Sequence, residues 1–400
     1  MSTAAPAQST LARERDRVSQ CLRESVIPFW MNHSLDRELG GYFNCLDRDG
    51  SVYDTKKHIW LQGRQVWMLS KLHNADPSAK DAGAFRDAAT LGADFLRNRA
   101  RDGQRVFFSL TREGKPHFLQ RKMFSECFYV MAMAEYARAT GDASARAEAD
   151  ELFQSILRYA KDPSLLGRPV YDNGLPATGE LAVPMILLNL IEELNGADGN
   201  DFEDIAQWCV ERIKLHVRHD LKMVMETVPL DGSLLDTPEG RLLNPGHAIE
   251  AGWFLMSYAR KRGLADLEKM ALAMIDWSFE TGWDKEEGGI YYFLDRGGYS
   301  PLQLEWSMKL WWPHCEAMIA FLMAYDTTGE AAYFEKYLQV ADYSFAHFDD
   351  PQHGEWFGYL DRHGRVSQRF KGGPYKGCFH VPRALWMCEG LLGGLIAKAS

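Results

Sequence analysis

Residues 288–298 read GGIYYFLDRGG, and two other segments of the chain are variants of this pattern. They are GGYFNCLDRDG at 40–50 and HGEWFGYLDRHG at 353–364. In each segment two or more adjacent aromatic residues precede Leu-Asp-Arg, which leads into a closing glycine. A short aromatic-rich run beside a glycine-containing turn predicts a β-hairpin. Several copies of one hairpin pattern indicate a fold built from repeated units.

Weaker copies of the hairpin pattern lie between the first segment and the last two. They occupy 102–114, 167–179 and 221–233, so six predicted hairpins follow one another at intervals of roughly 60 residues. Each is followed by an apolar segment long enough for a helix and is preceded by a more charged, amphipathic one. The six apolar segments are 60–74, 124–141, 182–196, 247–263, 314–329 and 380–394.

The repeated unit is therefore an outer helix, a hairpin and an inner helix. Helices that are apolar on nearly all sides are typical of elements buried on most sides. Six such units predict an all-α fold, an (α/α)6 barrel whose hairpins cover a central pocket. An open solenoid would need polar capping repeats, and the last segment is too apolar for that role. We predict one barrel domain over residues 1–400, with residues 1–10 as a flexible tail.

The composition excludes several classes of partner. Of the 400 residues 46% are hydrophobic, and the formal net charge is −10 without a basic cluster. Nucleic acids and anionic membranes require clustered Lys and Arg, so neither is an expected partner. The chain has no apolar run of membrane-spanning length and no secretory signal at its start. Seven scattered cysteines indicate reduced thiols rather than disulfides or a zinc site, so we expect a cytoplasmic protein.

The inner segments carry charged residues at equivalent positions near their starts. Positions 59 to 67 residues apart hold Arg64, Glu126, Met185, Glu250, Glu316 and Arg383. In a closed barrel these positions meet at one mouth, where unpaired charges in apolar surroundings are costly. A structural explanation is that the two arginines neutralise the glutamates. Matching positions in successive repeats favour a functional site instead.

Two histidines, His247 and His380, stand three residues before Glu250 and Arg383, one helical turn nearer the mouth. Imidazole accepts and releases protons near neutral pH. Two of them on opposite faces of one carbon suit a two-base epimerisation, in which one removes a proton and the other supplies one. Glu250 could orient His247, and the arginines could stabilise an oxyanion. We predict no metal, although the spacing of His247 and Glu250 leaves one open.

At these residues the chain resembles the N-acylglucosamine 2-epimerase family, whose animal members are also called renin-binding proteins. The resemblance is carried by LQGRQVW, NPGHAIEAGWF, WWPHCEA and CFHVPRALW. It implies an (α/α)6 barrel, usually a homodimer, that interconverts N-acetyl-D-glucosamine and N-acetyl-D-mannosamine by proton transfer at C2 of the ring-opened sugar. The catalytic histidines of the family fall on His247 and His380. Its supporting residues fall on Arg64, Glu250, Glu316 and Arg383.

The resemblance also implies a regulator and a choice between substrates. Members of the family consume no cofactor but are typically activated by ATP, although the chain has no phosphate-binding loop motif. The related cellobiose 2-epimerases and mannose-type aldose–ketose isomerases usually carry a further histidine on the third inner helix. This chain has Met185 and Ile186 there, so the resemblance favours the N-acetyl sugars.

Three alternatives to this function stay open at this point. The first is an aldose–ketose isomerase or 2-epimerase that acts on mannose or cellobiose. The second is an inverting glycoside hydrolase that uses two carboxylates among Glu126, Glu250 and Asp172. The third, from a different class, is a non-catalytic protein-binding module.

Overall fold

The computed structural model describes residues 6–167, 174, 176–196 and 199–399, and these contain fourteen α-helices. A π-helical turn, Cys21–Val26, joins the first two helices, and a 3-10 turn, Pro163–Leu166, follows the sixth. The helices are α1 (Gln8–Gln20), α2 (Ile27–His33), α3 (Ile59–Ala75), α4 (Ala82–Arg99), α5 (Phe124–Thr140), α6 (Ala143–Lys161), α7 (Ala182–Asn195), α8 (Glu203–His216), α9 (Pro238–Arg241), α10 (Pro245–Arg262), α11 (Ala265–Gly282), α12 (Trp311–Thr328), α13 (Ala331–His347) and α14 (His380–Ala399).

Six inner helices, α3, α5, α7, α10, α12 and α14, form a ring, and successive members pack against each other. Each of α4, α6, α8, α11 and α13 lies outside and packs against the inner helix that precedes it in the chain. The first helix, α1, packs against the last, α14. Phe379, just before α14, also lies against Trp67 of α3, with ring centroids 5.3 Å apart. The ring is therefore closed, which confirms the predicted (α/α)6 barrel.

The ends of the helices follow from local sequence signals. Three inner helices end at glycines in the left-handed conformation, Gly141, Gly263 and Gly329, which only glycine adopts without strain. The first helix begins at Gln8, so the last three residues of the predicted N-terminal tail are helical, and residues 1–5 lie outside the described residues. No helix in the described part of the chain is both long and apolar enough to cross a membrane.

Sixteen short strands form seven small antiparallel sheets at the N-terminal ends of the inner helices in the described residues. The strands are β1 (Cys45–Leu46), β2 (Val52–Asp54), β3 (Lys57–His58), β4 (Arg101–Asp102), β5 (Arg105–Val106), β6 (Ser109–Leu110), β7 (Pro116–Phe118), β8 (Thr178–Glu180), β9 (Val217–Arg218), β10 (Met223–Val224), β11 (Thr227–Pro229), β12 (Leu242–Leu243), β13 (Leu294–Asp295), β14 (Lys309–Leu310), β15 (Tyr359–Leu360) and β16 (Val366–Gln368).

Not every predicted hairpin pairs with itself. Hairpins β1–β2, β4–β5, β9–β10 and β15–β16 form at or beside the predicted segments. Segment 288–298 does not close on itself, because β13 pairs with β12 from the preceding connection. Most of 167–179 lies outside the described residues, and β8 beyond it pairs with β11. Pairing between connections ties neighbouring repeats together over the mouth of the barrel.

The Leu-Asp-Arg arginines join neighbouring repeats. Arg362 Nε donates to Asp284 Oδ2 at 3.1 Å, and the fully buried Lys309 Nζ donates to the same oxygen at 3.0 Å. Two equivalent clusters are Asp36, Lys57 and Arg112, and Asp350, Lys371 and Arg48. Arg48 of the first hairpin thus reaches Asp350 of the last repeat. The repeated arginine therefore holds the ring together across its closing junction.

We expect Lys309→Ala to lower the free energy of unfolding by about 3–5 kcal/mol, because the buried Asp284 carboxylate loses its buried partner. Urea unfolding of the purified variant measures this change. Lys269→Ala is the control, since Lys269 and its partner Asp266 are both exposed and their pair should contribute nothing measurable. Equal stability of the two variants would contradict a structural role for the Asp284 cluster.

Candidate active site

His380, the first residue of α14, points its imidazole at a buried carboxylate. Its Nδ1–H donates to Glu316 Oε1 at 2.7 Å, and the residue is only 6% exposed. Burial, followed by the positive charges of Arg64 and Arg383, lowers the pKa of His380 well below its usual value. Near neutral pH this imidazole is therefore uncharged. With Nδ1 protonated, its Nε2 carries the lone pair and can accept a proton.

His247 lies in the first turn of α10 and has the opposite electrostatic environment. The helix is capped by Asn244, whose side chain accepts the His247 backbone N–H at 3.2 Å. His247 Nδ1–H donates to Glu226 Oε1 at 2.9 Å. Burial lowers the pKa of His247, but the carboxylates of Glu226, Glu250 and Glu180 outweigh it, so the pKa is raised overall. This imidazole is therefore suited to donate a proton.

The indole of Trp312 lies beside both imidazoles. Its ring centroid is 5.3 Å from that of His247 and 5.9 Å from that of His380. One aromatic side chain thus connects the two histidines that the sequence predicted to share a site. Environments that push the pKa values of two neighbouring groups apart are typical of a paired general acid and general base.

Glu316, Arg383 and Glu250 form a buried ion-pair network behind His380. Arg383 Nη2 donates to Glu250 Oε1 at 2.9 Å and to Glu316 Oε1 at 2.5 Å. Trp253 Nε1 donates to the other Glu316 oxygen at 3.0 Å. The carboxylate that holds His380 is thereby fixed from three directions. Arg383 thus pairs with both glutamates, as the structural explanation raised by the sequence proposed.

Three groups of this network have the geometry to ligate a metal ion. One donor atom each from Glu250, Glu316 and His380 lies within 4.8 Å of the others. Arg383 already donates to both carboxylates, so a divalent cation would have to displace its guanidinium. His247 is not among these three residues. The donor set therefore fits an internal ion pair better than a metal centre.

Arg64 forms no ion pair within the part of the chain that the structure describes, and aromatic rings surround it instead. Its guanidinium carbon lies over the rings of Phe128 (4.1 Å), Trp60 (4.5 Å) and Phe379 (4.8 Å). Among the described residues no acceptor bonds to it, and its buried Nε has no partner. Burial lowers its pKa to about 9, with Glu250 acting in the opposite direction. Arg64 is therefore a charged donor with unused N–H groups.

Glu126 does not lie in the mouth, contrary to the prediction from its repeat position. Its Oε1 accepts Arg105 Nε at 2.8 Å and the Val106 N–H at 3.0 Å, so it anchors β5. Phe128, two residues later, faces Arg64 instead. The repeat positions are thus offset by about half a turn on α5. Asp172, the other carboxylate considered for a hydrolase, lies outside the described residues.

Sequence reasoning missed Glu226 and named the wrong partner for His247. Glu250 was predicted to orient that histidine, but its carboxylate binds Arg383, and Glu226 binds the imidazole. Glu226 lies between β10 and β11, in KMVMETVPL. A single acid among apolar strand residues was the available signal. The pairing itself depends on how this connection folds over α10.

Comparison with known proteins gives a consistent result. Residues 41–384 match the sequence profile described as N-acylglucosamine 2-epimerase (GlcNAc 2-epimerase). An N-acylglucosamine 2-epimerase from Bos taurus is 48% identical over 98% of this chain and 94% of its own length. A Homo sapiens counterpart is 46% identical over 100% of this chain and 96% of its own length. The structure of cellobiose 2-epimerase from Spirochaeta thermophila DSM 6192 shares the fold, with a TM-score of 0.81 at 21% sequence identity. The match covers 97% of this chain and 98% of that chain.

Proposed function

Because the chain belongs to the N-acylglucosamine 2-epimerase family, we propose that it interconverts N-acetyl-D-glucosamine and N-acetyl-D-mannosamine. The observation that carries this proposal is the pair of histidines beside Trp312, each held by its own glutamate. Their pKa values are shifted in opposite directions. One histidine is thus prepared to take a proton while the other is prepared to give one.

The proposed reaction begins on the ring-opened sugar, whose aldehyde acidifies the proton on C2. Neutral His380 removes that proton through Nε2, and the electron pair of the C2–H bond moves to leave an enolate with negative charge on O1. Arg64, whose Nε has no hydrogen-bond partner among the described residues, stabilises this oxyanion. His247 then delivers a proton from its Nε2 to the opposite face of C2. In the reverse direction the two histidines exchange roles.

The site supports a hydrolase less well. An inverting glycoside hydrolase needs one carboxylic acid and one carboxylate that are free to reach the glycosidic bond and a water molecule. Glu250 is paired with Arg383, and Glu126 is paired with Arg105. Each carboxylate is thus held by an arginine that would oppose its protonation.

Proton NMR of N-acetyl-D-mannosamine in D2O with the purified protein tests the proposal. We expect N-acetyl-D-glucosamine to appear with deuterium at C2, because the proton passes through histidines that exchange with solvent. Turnover of mannose or cellobiose but not of N-acetyl sugars would instead support the isomerase alternative. A lack of turnover on every sugar would favour a protein-binding role.

Glu226→Gln should change the pH dependence of this reaction. The substitution keeps the hydrogen bond to His247 but removes the charge that raises its pKa. In the direction in which protonated His247 is the acid, kcat/KM is lost as the pH rises through that pKa, so this limb should move to lower pH. At neutral pH we expect kcat/KM to fall by about 10-fold for each unit by which the pKa drops, because the protonated form of His247 becomes correspondingly rarer. The control is Glu239→Gln, at an exposed side chain, and its pH profile of kcat/KM should match that of the wild type. If the same limb of the profile does not move in Glu226→Gln, His247 is not the acid that Glu226 controls.

We further propose, from family membership, that ATP activates the enzyme without being hydrolysed and that the protein is a cytoplasmic homodimer. All seven cysteines are buried and unpaired, which fits a reducing compartment. Assays with and without ATP, with ADP release followed in parallel, test the first point. Sedimentation equilibrium tests the second, and a monomer at assay concentrations would overturn it.

A further inference from the structure

The third inner helix, α7, turns one face toward the interior of the barrel. Its Glu193 accepts a hydrogen bond from Trp67 Nε1 at 3.0 Å and lies 3.4 Å from Lys71 Nζ, both on α3. Because α5 stands between α3 and α7 in the ring, these contacts cross the interior. Residues seven and eleven positions earlier share the face of Glu193 on a helix with 3.6 residues per turn. Ile186 and Ala182 therefore also face inward.

The side chains at the start of this face are buried but not completely sealed from solvent. Ala182, Met185 and Ile186 keep exposed fractions of 7%, 6% and 8%, whereas Leu187 and Leu188 on the same helix have none. The three side chains form what we call the α7 wall. All three are apolar, and they lie in the first two turns of the helix, at the end that carries the histidines and arginines on the other inner helices.

The α7 wall is next to the catalytic histidine of α10. The backbone N–H of Leu181, the residue before α7, donates to the backbone oxygen of Glu226 at 2.9 Å. The side chain of Glu226 binds His247. Glu226 thus connects the start of α7 to the histidine proposed to transfer a proton at C2, which places the α7 wall on the same side of the mouth as that histidine.

The other inner helices near the mouth present polar groups. They contribute Arg64, His247, Glu250, Glu316, His380 and Arg383. The sugar carries hydroxyl groups on most of its carbons, and these need polar partners when they are buried. Its C2 substituent ends in the one alkyl group of the molecule. An apolar surface beside a C2-directed histidine is the complementary surface for that group.

We propose that the α7 wall receives the acyl chain on the C2 nitrogen and sets the length of acyl group that the enzyme accepts. This inference rests on the proposed epimerase function and adds a specificity determinant to it. Apolar pockets discriminate between ligands that differ by one methylene by roughly 10- to 200-fold. Removing side-chain volume from the wall should therefore favour longer acyl groups.

The test compares kcat/KM for N-butanoyl-D-mannosamine and N-acetyl-D-mannosamine in the wild type, Ile186→Ala and Ile191→Ala. Ile191 is a matched control, because it is on the same helix but fully buried on a face turned away from the interior. We expect Ile186→Ala to raise the butanoyl-to-acetyl ratio at least about 10-fold over the wild type. Ile191→Ala should leave the ratio unchanged even if it lowers stability.

The outcomes separate this inference from the function on which it rests. If the wild type epimerises both sugars and Ile186→Ala lowers both rates equally, the α7 wall does not contact the acyl chain. If the wild type turns over neither sugar, the proposed function itself fails. Should Ile186→Ala not fold, Met185→Ala measures the same ratio on the neighbouring side chain, and an unchanged ratio there overturns the inference.

Discussion

His380→Ala should lower kcat for epimerisation by about 10²- to 10⁴-fold, the range that a positioned general acid or base contributes. His247→Ala should do the same, because each turnover needs both proton transfers. The effect is expected to be chemical rather than structural. His247 is 29% exposed at its side chain, so truncating it removes little from the core. His380 is buried, but when it is truncated the Glu316 carboxylate keeps its bonds to Arg383 and Trp253.

Deuterium exchange distinguishes the two histidines more sharply than the rate does. In His247→Ala, His380 still removes the C2 proton of one epimer and returns deuterium to the same face. That epimer should then exchange with D2O without inverting, and His380→Ala should exchange only the other epimer. His219, exposed on the outer surface against Trp277, gives the control His219→Ala, which should keep full activity. Near-normal turnover in either site variant would eliminate the two-base mechanism.

Arg64→Met should lower kcat by about 10²- to 10³-fold with a smaller change in KM, because the lost donor acts mainly on the charge that develops at O1. Methionine keeps an apolar chain against the three aromatic rings that surround Arg64. No carboxylate of the described residues pairs with Arg64, so its removal leaves none of those buried anions unpaired. The fold should therefore survive the substitution.

Two further arginine variants test that explanation. Arg383→Met should destabilise the protein by about 3–5 kcal/mol, since Glu250 and Glu316 would both lose a buried partner. Arg369→Met, at a mostly exposed side chain, should change neither rate nor stability. The combination of kcat, KM and urea unfolding thus separates a catalytic cation from a structural one. An Arg64→Met enzyme with normal kcat would remove Arg64 from the mechanism.

The repeat pattern and the barrel were predictable because they rest on local signals. The predicted inner segment 60–74 became α3, Ile59–Ala75, and 247–263 became α10, Pro245–Arg262. Apolar composition, capping residues and glycine stops act within a few residues, so they can be recognised without knowing any contact. Pairing of the strands was less predictable. Residues 288–298 had the pattern of a hairpin, yet β13 found its partner in β12.

The local sequence specified the residues of the candidate site better than their partners. Positions of His247 and His380 at helix starts, and their separation by two repeats, follow from the repeat itself. Which carboxylate meets which cation follows from distances between chain segments far apart in sequence, and these exist only once the ring has closed. Glu226 therefore holds His247 while Glu250 holds Arg383. The same contacts, with burial, move the two imidazole pKa values apart, so the division into acid and base is a property of the folded barrel.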